Sequence, residues 1–184
     1  NTTASNNTAV GTEALSANTT ADANTSVGFE SLKANTTGSS NVALGFRSLL
    51  ANTTATSNVG IGDSALRTNT TGGTNVAIGQ DALRKNETAS NNTAVGSSSL
   101  ACNTTGASNT AVGCGALVAN TTGTENTAVG GISSDSITTG SFNTSLGYRT
   151  LCKTTTASNN VAIGHSTLKE NVTGADNTAV GMDA

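Results

Sequence analysis

Large apolar residues return along this chain only at fixed places, separated by long polar stretches, in a frame of 17 residues. Numbered from Asn1, frame position 10 is always Val, Ile or Leu, and position 15 is Leu in nine of the ten repeats that reach it. Position 7 is Asn and position 3 is Thr in all eleven repeats, and position 9 is always Ala, Ser or Gly. Gly closes the apolar pair at 11, 28, 45, 62, 79, 96, 113, 130, 147, 164 and 181, with no insertion anywhere. Within each repeat the clearest strand is positions 7 to 11, as in Asn75-Val76-Ala77-Ile78-Gly79. The Asn-Thr-Thr-Gly stretches between strands carry turn and strand chemistry, not helix formers.

A strict period with no slippage has a physical cause. In a solenoid each coil lies on the previous one and equivalent residues stack. One extra residue would turn a strand's side chains to the opposite face. Seventeen residues are too few for a helix pair and suit one β-coil. The pattern therefore predicts an all-β fold, a parallel β-solenoid of eleven 17-residue coils, forming one repeat domain over 1–184. At about 4.8 Å per coil the rod is about 50 Å long. Strand side chains alternate, so positions 8 and 10 share a face. Their Thr, Val, Ile and Leu residues are expected to face the core beside Leu15, Leu32 and their equivalents. The small residues of position 9 are then expected outside, where another backbone approaches closely. Thr at position 3 supplies a third inward or stacking row, and Gly at position 11 suits a corner with positive φ.

Composition narrows the function. Only 10% of residues are charged and 2% aromatic, and Pro and Trp are absent. Two large apolar residues per coil make a thin core, which favours burial by self-association, as a homotrimer or as an end-to-end filament. The repeat stays in register from Asn1 to the final residues, with no polar cap, as expected of a segment of a longer fibre or of copies that stack. Without a leader or initiator Met, the chain reads as a mature or excised segment. The formal net charge of −3 provides no basic footprint for nucleic acid. No apolar run approaches the roughly 20 residues that span a bilayer, so no membrane insertion is expected.

Catalysis needs convergent titratable groups, and neither catalytic nor metal-ligating residues are expected here. His165 is the single histidine, at the variable frame position 12, and the acidic residues fall at scattered frame positions. No cofactor is implied. Cys102, Cys114 and Cys152 lie on coils six, seven and nine. Coils six and nine stand about 14 Å apart, beyond the roughly 7 Å Cα reach of a disulfide. Cys102 and Cys114 are separated laterally by five frame positions. No intrachain disulfide is expected, and an interchain one stays open.

One coil is irregular: Ser134 stands where Leu is expected and Ile137 where Asn is expected. Ile132 and Ile137 are candidates to refill the lost volume.

The segments Asn75-Val76-Ala77-Ile78-Gly79 and Asn160-Val161-Ala162-Ile163-Gly164 resemble the head repeats of trimeric autotransporter adhesins. The period, 17 rather than the 14 usual there, is more similar to the Asn-Thr-Ala-Val-Gly repeats of phage and algal-virus tail-fibre proteins. That resemblance covers the whole chain. It implies a left-handed parallel β-roll, a trimer, and a non-catalytic place in a fibre, filament or adhesin on a cell or virion surface, with a cell-surface receptor or glycan as partner.

Asn-x-Thr sequons recur at Asn1, Asn18, Asn35, Asn52, Asn69, Asn86, Asn103, Asn120 and Asn171. They are N-glycan acceptors in a secreted eukaryotic or algal-virus protein. Equally, Asn and Thr at one frame position are what stacked amide ladders require. Frame position 12 collects Phe29, Phe46, Tyr148 and His165, a row that faces either a neighbouring chain or a ligand. The alternative function is ligand or ice binding by stacked Thr ladders, since positions 2 and 3 are Thr-Thr in most coils.

Overall fold

A computed structural model describes residues 3–184. It is a β-solenoid of about ten turns, with eleven three-residue strands stacked in one parallel sheet in chain order. The series runs from β1 (Thr8–Val10) through β4 (Val59–Ile61), β5 (Val76–Ile78) and β6 (Thr93–Val95) to β11 (Thr178–Val180). Each residue pairs with its equivalent one repeat later, as Val59 with Val76 and Ile61 with Ile78. A three-residue strand alone is too short to be stable, so the turns must carry ladder bonds as well. Leu32 N donates to Ser48 O (2.9 Å), Ala34 N to Leu50 O (3.1 Å) and Thr36 N to Thr53 O (2.9 Å). Most of the coil's perimeter is thereby hydrogen-bonded to its neighbours, which answers where the backbone groups of such a turn-rich chain go.

The interior is smaller and more polar than the apolar pattern predicts. Leu at position 15 is fully buried from Leu32 through Leu117, and position 9 points in beside it. A Cβ on Gly60, at position 9, would stand 2.6 Å from Ser48 Oγ and 3.2 Å from Leu49 Cγ. Positions 8 and 10 point out, which reverses the expectation that Val, Ile and Leu of the strand fill the core. The reason is width. Leu and the buried Asn side chains already occupy the lumen, and only Ala, Ser or Gly fits in the space left at position 9. The small residues are the inner face because that face is crowded, not because a partner approaches from outside.

The rest of the lumen is amide. Asn at position 7 is buried from Asn24 through Asn160, and at position 1 from Asn18 through Asn120. At position 7, Asn75 N donates to Asn58 Oδ1 (2.9 Å) and Asn58 Nδ2 to Gly72 O (2.9 Å). At position 1, Asn52 Nδ2 donates to Asn35 Oδ1 (2.9 Å) and to Ala55 O (3.1 Å). Buried amides are tolerated because each finds partners one coil away and across the turn. The Thr of position 3, expected inward or stacking, is exposed in every coil. Stacking falls instead to Thr at position 2, where Thr53 Oγ1 donates to Thr70 O (3.2 Å) and Thr121 Oγ1 to Thr138 O (3.0 Å).

Gly at position 11 holds φ between 127° and 136° along the rod. A Cβ on Gly79 would lie 2.7 Å from the carbonyl carbon of Gly96, so both the dihedral and the coil spacing demand glycine.

Candidate functional site

Two surfaces follow from this inside-out arrangement. The first is the outer face of the sheet, where position 10 forms an unbroken column of Val, Ile and Leu. Position 8 runs beside it, Thr in seven coils and Val in four. Val10, Val27, Ile78 and Leu146 are 57%, 37%, 37% and 46% exposed. The alternation that keeps this face flat also keeps it free of charge, since no strand carries Asp, Glu, Lys or Arg. Sequence reasoning missed this face by assigning it to the core. The signal was present: position 9 is uniformly small, as a crowded interior requires, while position 8 alternates between polar Thr and apolar Val.

The second surface lies on the flank just past the Gly corner, on coils one to four. Phe29 and Phe46 of the position-12 row stack with ring centres 5.5 Å apart and planes 11° from parallel. The Arg47 guanidinium sits 4.8 Å from the Phe46 ring centre and 6.0 Å from that of Phe29. Its Nε donates to Glu30 Oε2 at 2.7 Å, and Lys33 Nζ reaches Glu30 Oε1 at 2.8 Å and Glu13 Oε2 at 2.5 Å. Hydrogen bonds from Lys33 and then Arg47 hold the Glu30 carboxyl below its ordinary range. Bonds to Glu13 and Glu30 hold the Lys33 ammonium above its own. Beside this chain of ion pairs is an open groove of about 600 Å³, floored by Ala17, Ala34, Leu50 and Ala51. Arg67 forms its far wall. Among the described residues no carboxylate pairs with Arg67.

The other residues singled out from sequence scatter. Tyr148 and His165 form a second ring pair, 5.6 Å apart, far along the rod from the Phe pair. Cys102, Cys114 and Cys152 are free, and Cys114 is the exposed one. Among the described residues no three His, Cys, Asp or Glu side chains gather as metal ligands, and no helix is long and apolar enough to cross a membrane. The sequon asparagines Asn18, Asn35, Asn52, Asn69, Asn86, Asn103 and Asn120 lie in the lumen. Their expected role as glycan acceptors does not fit the folded coil, which has no room for a sugar on those amides. Asn171 is half-buried, and Asn1 lies outside the described residues. Two further sequons, Asn6-Asn7-Thr8 and Asn91-Asn92-Thr93, begin with exposed asparagines.

Coil geometry and surfaces together define a repeat protein of the β-solenoid class. No protein family, curated protein or solved structure matches the chain.

Proposed function

We propose that this chain is a non-catalytic structural rod from an extracellular fibre, filament or adhesin, on a cell or virion surface, whose copies associate through the outer sheet face. The observation that carries the reading is the uncharged aliphatic column at position 10. Eleven coils about 4.8 Å apart give a flat face roughly 50 Å long and 10 Å wide. That is about 500 Å², within the range of the largest patches on monomeric proteins, which are often functional. Two further features support it. Every coil presents Val, Ile or Leu at position 10 and Thr or Val at position 8, so a second copy meets the same uncharged chemistry along the whole length of the face. The lumen, with one Leu per coil, leaves more apolar surface outside than a self-sufficient core would. A homotrimer is the assembly that the resemblance to adhesin and tail-fibre repeats implies.

Ice binding draws less support. The Thr hydroxyls of position 2 are engaged with neighbouring carbonyls, so the Thr-Thr pair offers one outward hydroxyl per coil in place of two.

The test is native mass. The 18.0 kDa chain is expected to run as an assembly, with three copies as the expected number. The double variant Val95→Lys, Val112→Lys is expected to run as a monomer with an unchanged far-UV spectrum, because both side chains point outward. A wild-type chain that stays monomeric at high concentration would sink the proposal.

A further inference from the structure

Beyond the rod and its sheet face, we propose that the groove on coils one to four binds an anionic saccharide, a sugar bearing a carboxylate or a sulfate, with Arg67 as the anion-binding residue. The groove's volume of about 600 Å³ is in the range of small-molecule sites. It runs across four coils, about 14 Å, the span of two or three sugar units. Three cations (Lys33, Arg47, Arg67) face two carboxylates (Glu13, Glu30), so the groove is locally positive on a chain whose net charge is −3.

The cations are not equivalent. Lys33 is held by Glu13 and Glu30, and Arg47 by Glu30 and the Phe46 ring. Arg67 alone presents a guanidinium with no carboxylate of its own, and a planar fork of N–H donors matches a carboxylate or sulfate. The wall opposite offers fixed donors and acceptors side by side, which suits neighbouring hydroxyls of a sugar. The floor of Ala17, Ala34, Ala51 and Leu50 is shallow and apolar, fit for the C–H face of a pyranose ring. An acidic peptide is the rival class. The groove disfavours it because the floor's backbone donors are already used between coils: Ala17 N to Lys33 O, Ala34 N to Leu50 O and Ala51 N to Arg67 O. An extended peptide therefore gains no main-chain ladder there.

The test uses the whole chain in its native assembly, titrated with 3′-sialyllactose, lactose 3′-sulfate and lactose. Arg67→Ala is a safe variant, since frame position 16 already holds Ala101 and Ser16 in other coils. Arg149→Ala removes the same charge from a distant coil and is the control. Saturable binding of sialyllactose or sulfated lactose is expected, with lactose weaker. Losing a charge-assisted contact in Arg67→Ala is expected to weaken the anionic sugars about 10-fold or more, while Arg149→Ala leaves binding unchanged. The relative affinity of the carboxylated and sulfated sugars says which anion the groove prefers. The proposal is overturned if neither anionic sugar saturates, if lactose binds equally well, if both Arg variants lose equally, or if an acidic peptide binds through Arg67 while the sugars do not. Native mass on the same samples keeps this result separate from the self-association reading.

Discussion

At the residue scale, the rod depends on a few side chains placed where their type is physically required and on a few placed against preference. Gly79 belongs to the first kind, since alanine would add a Cβ 2.7 Å from Gly96 atoms at a φ of 128°. Gly79→Ala is expected to cost about 1–3 kcal/mol from the backbone alone, with the clash adding to it, read as a lowered midpoint in chemical denaturation. Leu83 belongs to the second. Its φ is 51°, a region that costs an L-residue roughly 1–2 kcal/mol, yet it is the one large side chain filling its coil. Asp135 is a third case. It follows Val118 and precedes Cys152 at frame position 16, and its Oδ1 is buried with no hydrogen-bond partner. Burial pushes its carboxyl above the ordinary range, against the pull of its own backbone amide and of Arg149. With the folded value raised, the stabilising contribution is present below the ordinary carboxylate range and lost as pH rises through the folded value. Asp135→Asn is therefore expected to raise the melting temperature at pH 7, with the gain shrinking towards pH 3, where the carboxyl is protonated in both states.

At the element scale, the unit is not the strand but the ladder. The position-1 ladder joins Asn69 to Asn52 (3.2 Å) and Asn86 to Asn69 (2.8 Å), with Asn69 Nδ2 also donating to Gly72 O (2.8 Å). Asn69→Ala strands partners on both sides and is expected to destabilise by about 1–3 kcal/mol. The ladder ends where the irregular coil begins. Asn120 Oδ1 lacks a partner because the next position 1 is Ile137, which has nothing to donate. Ile137 is fully buried and refills the space that Ser134 leaves by replacing Leu. Ile132, the other candidate, stays half-buried at the surface. The hydroxyls of Ser133, Ser134, Ser145 and Thr150 close a buried network at 2.7 Å separations around the defect. Leu plus Asn has been exchanged for Ser plus Ile, so the two positions are coupled. Ser134→Leu alone overfills the lumen and Ile137→Asn alone empties it. Each is expected to lower the melting temperature, while the double variant restores the ladder and raises it. A coupling of about 0.5–3 kcal/mol in a double-mutant cycle is the expected size.

At the scale of the whole molecule, each coil touches only its neighbours, so the rod is modular in units of one repeat. Deleting residues 86–102, one full frame, is expected to leave a shorter rod with the same far-UV spectrum per residue and a cooperative melt. Deleting 86–101 leaves one extra residue at the junction of two coils and breaks the ladders there, while the coils on either side keep their own register. It is expected to lower the melting temperature and reduce the cooperativity of the melt. The same modularity repeats an uncharged outer sheet face, Thr or Val beside Val, Ile or Leu, along the rod, which is why association is proposed there. The groove, in contrast, lies where Lys33, Arg47 and Arg67 set coils two to four apart from the rest of the repeat.

How much was legible in the sequence differs between these levels. The period, the parallel stacking, the strand positions, the Leu row and the glycine corner follow from spacing and residue type alone, because a solenoid repeats its physics once per coil. Asn at position 1 could be read as a stacked amide or as a glycan acceptor, and the structure buries these amides from Asn18 to Asn120. Which face of the strand looks inward was decided by tertiary structure. Alternation separates positions 8 and 10 from position 9 but does not say which side is the lumen. That depends on how much volume Leu and two Asn ladders already occupy in a 17-residue coil. The groove was hidden for a related reason: Glu30, Arg47 and Arg67 lie up to two coils apart in sequence and become neighbours only when the coils stack at strand spacing.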